Sequence, residues 1–288
     1  MNKQIKILDI KINILSKIEL LEKIKELLQS NRQKQLVTTN PEFIIEAQKN
    51  QEFKNILNSS WLSVADGYGI RLASKYCELA TNFQFSIFNF KININFKFQK
   101  IIINFLRGLA VAWWGITKNN KRLDIVKEII TGVDLMQDIA SVIPAKAGIQ
   151  LKIFLLGGYG NTPKLVAKNL KKINNNLKID YCIFEGDNKI DKINNFQPEI
   201  LFVALNHPKA QIWINNNLAK MPSVKLAIGV GGAFDYISGK VKRAPKNWLL
   251  SYEWLYRLFK QPKRIKRIFN ACVKFPWAVF SNHTNKSS

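Results

Sequence analysis

The chain has 288 residues, 47% of them hydrophobic, and its 44 Lys and Arg against 20 Asp and Glu give a formal net charge of +24 at pH 7. This length and composition exclude a disordered or fibrous chain and suffice for one large or two small domains with a sizeable core. The positive charge indicates an anionic partner (nucleic acid, anionic lipid or a phosphorylated substrate), or else a compositional bias toward Lys and Asn.

The cysteine and histidine positions bear on metal binding and compartment. They stand far apart in the sequence, at Cys77, Cys182, Cys272, His207 and His283. Because zinc sites and disulfide frameworks need closely spaced or paired residues, we expect no metal site, and free thiols fit a reducing cytosol. The first 36 residues are charged throughout and lack the apolar segment of a signal peptide.

The first part of the chain alternates short apolar runs with helical patterns. The predicted strands are 6–15 (a strand or hairpin), 35–38 and 61–64. Ser16 and Glu19 form a capping-box pattern ahead of a helix, and Asn40 can cap the next helix. The third strand ends at Asp66-Gly67, and a further helix follows.

Residues 78–127 interrupt this pattern. No acidic residue lies between Glu78 and Asp124, and residues 101–117 are almost wholly apolar, with two adjacent tryptophans near the end. A run of 17 residues is at the lower limit for a spanning helix. Its lysine-rich flanks and its tryptophans predict an interfacial or re-entrant membrane element. The alternative is a core helix of an inserted hairpin.

Alternating strands and helices resume at Thr131. The predicted helices are 132–141, 162–173, 187–195 and 209–217, and the predicted strands are 153–156, 177–183, 200–205 and 224–230. Residues 142–150 read as a small insertion. The alternation predicts an α/β fold with a mostly parallel, Rossmann-like sheet and helices on both faces.

The C-terminal part is strongly basic. Six Lys or Arg residues and no acid lie between Arg257 and Arg267, interleaved with aromatic and aliphatic residues. This composition predicts a cationic amphipathic appendage. The expected organisation is an N-terminal α/β part at 1–77 and a second α/β part at 128–246 that continues the sheet. Between them, residues 78–127 form an inserted apolar and basic hairpin that contacts the membrane, and residues 247–288 form a basic helical membrane appendage.

Three motifs follow predicted strands, where open α/β sheets bind ligands. Gly157-Gly158-Tyr159-Gly160 can hold a diphosphate on backbone amides or form a plain turn. Thr38-Thr39-Asn40 can line a ligand site or serve only as a polar helix cap. Asp66 can accept a proton from a substrate hydroxyl, or it can be a turn former.

Seven sequence blocks occur in order along the chain. They are TTNPEF at 38–43, ADGYG at 65–69, TGVDLM at 131–136, FLLGG at 154–158, ILFVAL at 200–205, IGVGGAFDYISGKVKRAP at 228–245 and EWLYRLFKQPKRIKR at 253–267. Together they resemble the WecG/TagA/CpsF family of bacterial glycosyltransferases. The resemblance implies transfer of an N-acetylmannosamine-type sugar from a UDP donor to a polyprenyl-diphosphate-linked sugar in cell-surface glycan assembly. The transfer would invert the anomeric configuration and need no metal or other cofactor.

The resemblance also implies roles for particular residues. Asp66 matches the general base, and Thr38 and Asn40 match positions near the catalytic pocket. Donor or substrate contacts are expected at Thr39, Gly67, Thr131, Asp134, Gly157, Gly158, Pro208, Lys209, Gly231, Gly232 and Asp235. The appendage arginines Arg257, Arg264 and Arg267 would hold the lipid diphosphate at the membrane, because guanidinium groups bind phosphate oxygens in pairs.

The expected partners follow from this assignment. They are the UDP-sugar, the lipid-linked acceptor and the anionic inner face of the cell membrane, with which a cytoplasmic enzyme associates peripherally. A homo-oligomer is left open. Nucleic acid is not expected, since no recognised binding motif is present; a basic nucleic-acid-binding protein is the weaker alternative.

Two blocks depart from the family pattern. Glu128-Ile129-Ile130-Thr131-Gly132 lacks the arginine of the usual Glu-Arg-Val-Thr-Gly. Asn206-His207-Pro208-Lys209-Ala210-Gln211 replaces Gly-x-Pro-Lys-Gln-Glu, so a pocket glutamine becomes Ala210. These changes favour, as an alternative, a catalytically impaired relative that binds lipid-linked sugars. His207 can substitute for a lost donor, or it can reflect drift in a loop.

Overall fold

The computed structural model describes residues 3–82, 96–117, 121–142, 151–186, 188–244 and 265–285. Its strands are β1 Gln4–Ile7, β2 Ile10–Asn13, β3 Lys34–Thr39, β4 Leu62–Ala65, β5 Lys152–Gly157, β6 Lys178–Cys182, β7 Ile200–Ala204 and β8 Leu226–Gly229. They form one sheet in the order β1-β2-β4-β3-β8-β7-β5-β6. The β1–β2 hairpin is antiparallel and the remaining pairs are parallel, which confirms the predicted sheet type.

Twelve α-helices lie in the part of the chain that the structure describes, and two of them start at caps that the sequence predicts. The helices are α1 Lys17–Gln29, α2 Pro41–Ala47, α3 Gln51–Ser59, α4 Tyr68–Asn82, α5 Phe96–Ile116, α6 Gly132–Val142, α7 Thr162–Ile173, α8 Lys189–Phe196, α9 Lys209–Asn217, α10 Ala233–Ile237, α11 Ile265–Phe269 and α12 Phe275–Asn285. The capping box of α1 is formed, because the Glu19 N–H donates to Ser16 Oγ and the Ser16 N–H donates to Glu19 Oε2. Asn40 caps α2, where its Oδ1 accepts from the Phe43 N–H at 3.1 Å.

The sheet is covered on both faces because buried residues alternate along its strands. In β5, Ile153 and Leu155 join the core beneath α1, α6, α7 and α10. Phe154 and Leu156 point the other way, toward α8 and α9. Farther along this second face, α2, α3 and α4 cover the part of the sheet nearest the hairpin. The predicted two-sided α/β fold is therefore confirmed.

The C-terminal helix is continuous but not uniform. Between α11 and α12 lies a π-helical turn, Asn270–Lys274. This turn packs against α2, and α12 packs against α2, α4 and α5. Phe275 and Val279 of α12 are buried in the core with α4. The helix thus lies across the end of the molecule that carries α2.

Helix α5 presents apolar residues outward. The side turned toward α4 and α12 carries Asn104, 1% exposed, and Val111, 4% exposed. The opposite side carries Phe105, Leu109 and Trp113, which are 56%, 52% and 64% exposed. One side of the predicted element is therefore packed and the other is uncovered. Among the helices that the structure describes, none combines the length and apolar character needed to cross a membrane.

Two boundaries predicted from the sequence can be compared with the structure to different extents. Helix α4 runs without a break past residue 77, where the second segment was expected to begin. The predicted insertion at 142–150 begins at the last residue of α6, and residues 143–150 lie outside the described part of the chain.

Candidate active site

A cavity of about 460 Å³ lies at the carboxyl ends of the central strands. Parallel strands bring these ends to one edge of the sheet, so the loops after β3, β4, β5, β7 and β8 all contribute to its wall. The predicted site residues that line it are Thr38, Asn40, Asp66, Thr131, Gly158, Pro208, Lys209, Gly231, Gly232, Asp235 and Arg267. Ala204 and Leu205 also line it, so residues from all seven sequence blocks meet in one place.

Asp66 is held by the end of the sheet. It directly follows β4, and its backbone N–H donates to the Thr39 carbonyl at 2.8 Å. The next residue, Gly67, has φ +94°, a left-handed conformation in which any residue with a side chain would be strained. The chain turns there into α4. The backbone at Asp66 is thus fixed on both sides while its side chain lines the cavity.

A second cluster joins the loop before α6 to the basic loop after α10. Arg243 donates to both carboxylate oxygens of Asp134, at 2.5 and 2.9 Å. The Thr131 hydroxyl donates to Asp134 Oδ2 at 2.7 Å. Burial alone would raise the pKa of Asp134, but the hydrogen bonds from Arg243 and Thr131 outweigh it and lower the pKa. Asp134 therefore anchors Arg243, and Arg243 lines the cavity.

A third cluster lies where α2, the β7–α9 loop and α11 meet. Arg267 Nε donates to Glu42 Oε2 at 2.7 Å. The same oxygen is 3.7 Å from Nε2 of His207, whose ring packs on Phe43 with 5.1 Å between centroids. Burial lowers the pKa of His207, and the nearby Glu42 carboxylate acts in the opposite direction. His207 is therefore mainly neutral at pH 7.

Basic and acidic side chains both line the cavity. In the described part of the chain, the lining side chains with fixed positive charge are Lys209, Arg243 and Arg267, and the lining carboxylates are Asp66, Glu185 and Asp235. The described residues contain no group of three or more His, Cys, Asp or Glu placed to hold a metal ion. Basic side chains and glycine-rich turns are groups that can bind phosphate oxygens.

Some predicted residues lie behind the cavity wall. Thr39 is fully buried, and its hydroxyl hydrogen-bonds that of Ser63 at 2.7 Å. A Cβ on Gly157 would come within 2.7 Å of the Ala204 carbonyl oxygen, so this glycine allows strand and loop to approach each other. Gly67 and Asp134 likewise support lining residues without lining the cavity themselves. Arg257 and Arg264 lie outside the described residues.

The structure adds residues that sequence reasoning missed. Arg243 and Gln211 line the cavity, and Glu42 holds a lining arginine. At the departures from the family pattern, Ala210 is 1% exposed in the core beneath α9, while its neighbour Gln211 reaches the wall. Ile129 is half-buried and does not line the cavity. A polar amide thus remains at this part of the wall, one residue from the expected position.

Two comparisons identify the family. The sequence profile of the glycosyl transferase WecG/TagA/CpsF family matches residues 5–94 and 105–288. A relative from Bacillus subtilis (strain 168) is 28% identical over 257 residues, which cover 87% of this chain and 80% of the relative. That relative is an N-acetylglucosaminyldiphosphoundecaprenol N-acetyl-beta-D-mannosaminyltransferase. With the expected blocks assembled around one cavity and the profile matching nearly the whole chain, the protein belongs to the WecG/TagA/CpsF family of glycosyltransferases.

Proposed function

We propose that this glycosyltransferase moves an N-acetylmannosamine-type sugar from a UDP donor to a polyprenyl-diphosphate-linked sugar, with inversion and without a metal. The observation that carries the proposal is the cavity at the strand ends, where Asp66 shares one wall with basic groups and glycine-rich turns. The named activity of the Bacillus subtilis relative, which joins an N-acetylmannosaminyl group to a lipid-diphosphate sugar, supports the same substrate classes. Such a product belongs to cell-surface glycan assembly, as in teichoic acid, capsule or exopolysaccharide.

The chemistry requires one base and a cationic surround. Asp66 takes the proton of the acceptor hydroxyl as that oxygen attacks the anomeric carbon from the side opposite UDP. UDP leaves as a diphosphate, which needs charge neutralisation more than protonation. Lys209 and Arg267, which line the same cavity, are placed to supply positive charge to diphosphate groups. Thr38 and Asn40 would orient the reacting sugars.

The direct test is product analysis with purified protein. A panel of UDP-sugars is incubated with a short-chain polyprenyl-diphosphate N-acetylglucosamine, with and without EDTA. We expect one disaccharide product by mass spectrometry, with N-acetylmannosamine as the added sugar, inverted anomeric configuration by NMR and a rate unaffected by EDTA. Acceptor binding without any transfer would instead support the impaired relative, and a rate abolished by EDTA would contradict the metal-free mechanism.

We also propose that the enzyme works while bound to an anionic membrane on its inner, cytoplasmic side. Two helices support this. On α5, the uncovered stripe includes Phe105, Leu109 and Trp113, and on the C-terminal helix it includes Phe269 and Trp277. These helices pack against each other, and both lie in parts of the sequence without acidic residues. Apolar stripes flanked by basic residues are typical of helices that lie in the membrane interface.

A further inference from the structure

A single carboxylate ties the C-terminal helix to the wall of the active site. Glu42 is in the first turn of α2, two residues after Asn40, and its side chain is 17% exposed. It accepts the Nε–H of Arg267 from α11 at 2.7 Å, across 225 residues of sequence. The bond joins two helices that are far apart in the sequence, and it holds the Arg267 side chain at the cavity wall.

Two further features surround the Glu42 carboxylate. A carboxylate in the first turn of a helix is stabilised by the exposed N–H groups there. His207 Nε2 lies 3.7 Å from the same oxygen that Arg267 binds. Because burial lowers the pKa of His207, Arg267 is, within the described residues, the side chain of fixed positive charge that pairs with Glu42.

The geometry of the pair leaves part of the guanidinium for another anion. Of its five N–H groups, the contact with Glu42 uses the one on Nε. The remaining four are on the two Nη atoms, and the side chain is 40% exposed where it lines the cavity. Arg243, by contrast, turns both of its Nη atoms to Asp134. A carboxylate therefore binds Arg267 through Nε alone, whereas a carboxylate binds Arg243 through both Nη atoms.

We infer that Glu42 is a positioning residue that presents the Nη edge of Arg267 to the diphosphate of the lipid-linked acceptor. The inference rests on the proposed function and adds a residue to it. An arginine pre-oriented by a fixed carboxylate loses less rotational freedom on binding and can meet two phosphate oxygens at once. Glu42 itself touches no substrate. It acts by holding Arg267 beside Thr38, Asn40 and Asp66.

The experiment measures kinetics with UDP-N-acetylmannosamine and the short-chain polyprenyl-diphosphate N-acetylglucosamine. The variants are Glu42→Ala, Glu42→Gln, Arg267→Ala and the double variant Glu42→Ala/Arg267→Ala, with Glu46→Gln, one turn further along α2, as the matched control. We expect Glu42→Ala to raise the acceptor KM about tenfold to 100-fold with an unchanged donor KM. Glu42→Gln, which keeps an oxygen for the Nε–H, should recover part of that loss, and Glu46→Gln should resemble the parent.

The double variant tests whether Glu42 acts through Arg267. If Glu42 acts through Arg267, then Glu42→Ala/Arg267→Ala should have the acceptor KM of Arg267→Ala alone. Additive effects would overturn the inference. A lower acceptor KM in Glu42→Ala would also overturn it, because Glu42 would then compete with the diphosphate. So would a lowered Tm with unchanged kinetics, since the pair would then be a structural tether only.

The same variants separate this inference from the proposed reaction. If the parent transfers no sugar, the proposed function fails, and the dissociation constant for the same acceptor, measured by titration calorimetry, still decides the role of Glu42. An active parent with an unaffected Arg267→Ala variant would overturn the inference and leave the proposed reaction intact.

Discussion

Asp66 is the residue that we propose as the general base. It projects into the cavity from a strand end whose backbone is held by Thr39 on one side and turned by Gly67 on the other. Removing a general base typically costs about 10²- to 10⁴-fold in rate. Asp66→Asn keeps the size of the side chain and removes its basicity. We therefore expect kcat to fall by that order with nearly unchanged donor affinity, as measured by steady-state kinetics and donor titration.

The matched comparison is Asp235→Asn. Asp235 also lines the cavity, in the first turn of α10. It should affect the donor KM more than kcat if the glycine turn before it serves the donor. An Asp66→Asn variant that retains more than half the parent rate would move the search for the base to Asp235.

The ion pair between Asp134 and Arg243 should make stability depend on pH in a defined direction. The folded-state pKa of Asp134 is lowered from 3.8. The ion pair therefore stabilises the fold fully above that value, and this stabilisation is lost as pH falls through the folded-state pKa. Asp134→Asn should therefore be less stable than the parent at pH 7, by about 1–2 kcal/mol. It should also lose less stability than the parent on acidification below pH 3.8. Thermal unfolding at a series of pH values measures both effects, and parallel curves would contradict the assignment.

The residues that sequence reasoning found and missed differ in one physical respect. Thr38, Asn40 and Asp66 were predicted because each matches a family block and lies at or just after the end of an apolar strand, and the parallel sheet brings strand ends together. Arg243 and Glu42 were missed because their roles come from partners 109 and 225 residues away. No local pattern distinguishes Arg243 from the basic residues around it. The catalytic roles themselves remain predictions.

At the scale of elements, the sequence predicted most closely the helices with strong start and stop signals. Helix α7 spans 162–173 and α9 spans 209–217, both as predicted. Proline at the start of α7 and the apolar period within it define that helix without tertiary information. The outward face of α5 could not be predicted, because a helix with apolar residues all round does not specify which side its neighbours cover.

The uncovered stripe of α5 can be tested by point substitution. Deletion of the helix would expose the core that Val111 helps to bury, so Phe105→Gln, Leu109→Gln and Trp113→Gln are combined instead. Each apolar side chain transferred from water to lipid is worth about 1.5–3 kcal/mol. The triple variant should therefore bind anionic vesicles at least roughly 100-fold more weakly, in flotation assays, with an unchanged Tm.

Ile18→Gln on α1 is the matched control, because Ile18 is 70% exposed on a helix that packs on the other face of the sheet. It should bind vesicles like the parent. A triple variant that binds normally, or that melts at a much lower temperature, would show that another part of the chain covers this stripe.

The basic appendage should contribute through charge. Each Lys or Arg near an anionic leaflet is worth about 1 kcal/mol before screening. Replacement of Arg257, Arg264 and Arg267 by Ala should therefore weaken vesicle binding by up to roughly 100-fold and reduce turnover of a long-chain acceptor. The far-UV circular dichroism should not change. Normal sedimentation with vesicles together with normal turnover would refute this role.

At the scale of the whole molecule, the net charge of +24 would attract any polyanion. The salt dependence of binding distinguishes a nucleic acid from an anionic membrane. Oligonucleotide binding driven by phosphate contacts falls steeply as salt displaces released counterions. Vesicle binding should retain the apolar contribution that we propose for α5 and the C-terminal helix. Between 50 mM and 500 mM salt, roughly spanning the range over which charges become screened, we expect oligonucleotide affinity to vanish and vesicle affinity to persist. Equal losses would favour a purely electrostatic, non-specific surface.

The π-helical turn has a consequence for how the exposed apolar stripe of the C-terminal helix and the cavity are aligned. In a regular α-helix, Arg267 and Phe275 would point about 80° apart around the axis. A π turn accommodates about one additional residue, which brings their directions to within about 20° of each other. Phe275 can then seat in the core while Arg267 reaches Glu42, and the apolar stripe stays on the far side of the same helix. A one-residue change in the length of this turn would therefore rotate the arginine away from the cavity without unseating α12, so helix phase sets the angle between the active site and the apolar stripe that we propose binds the bilayer.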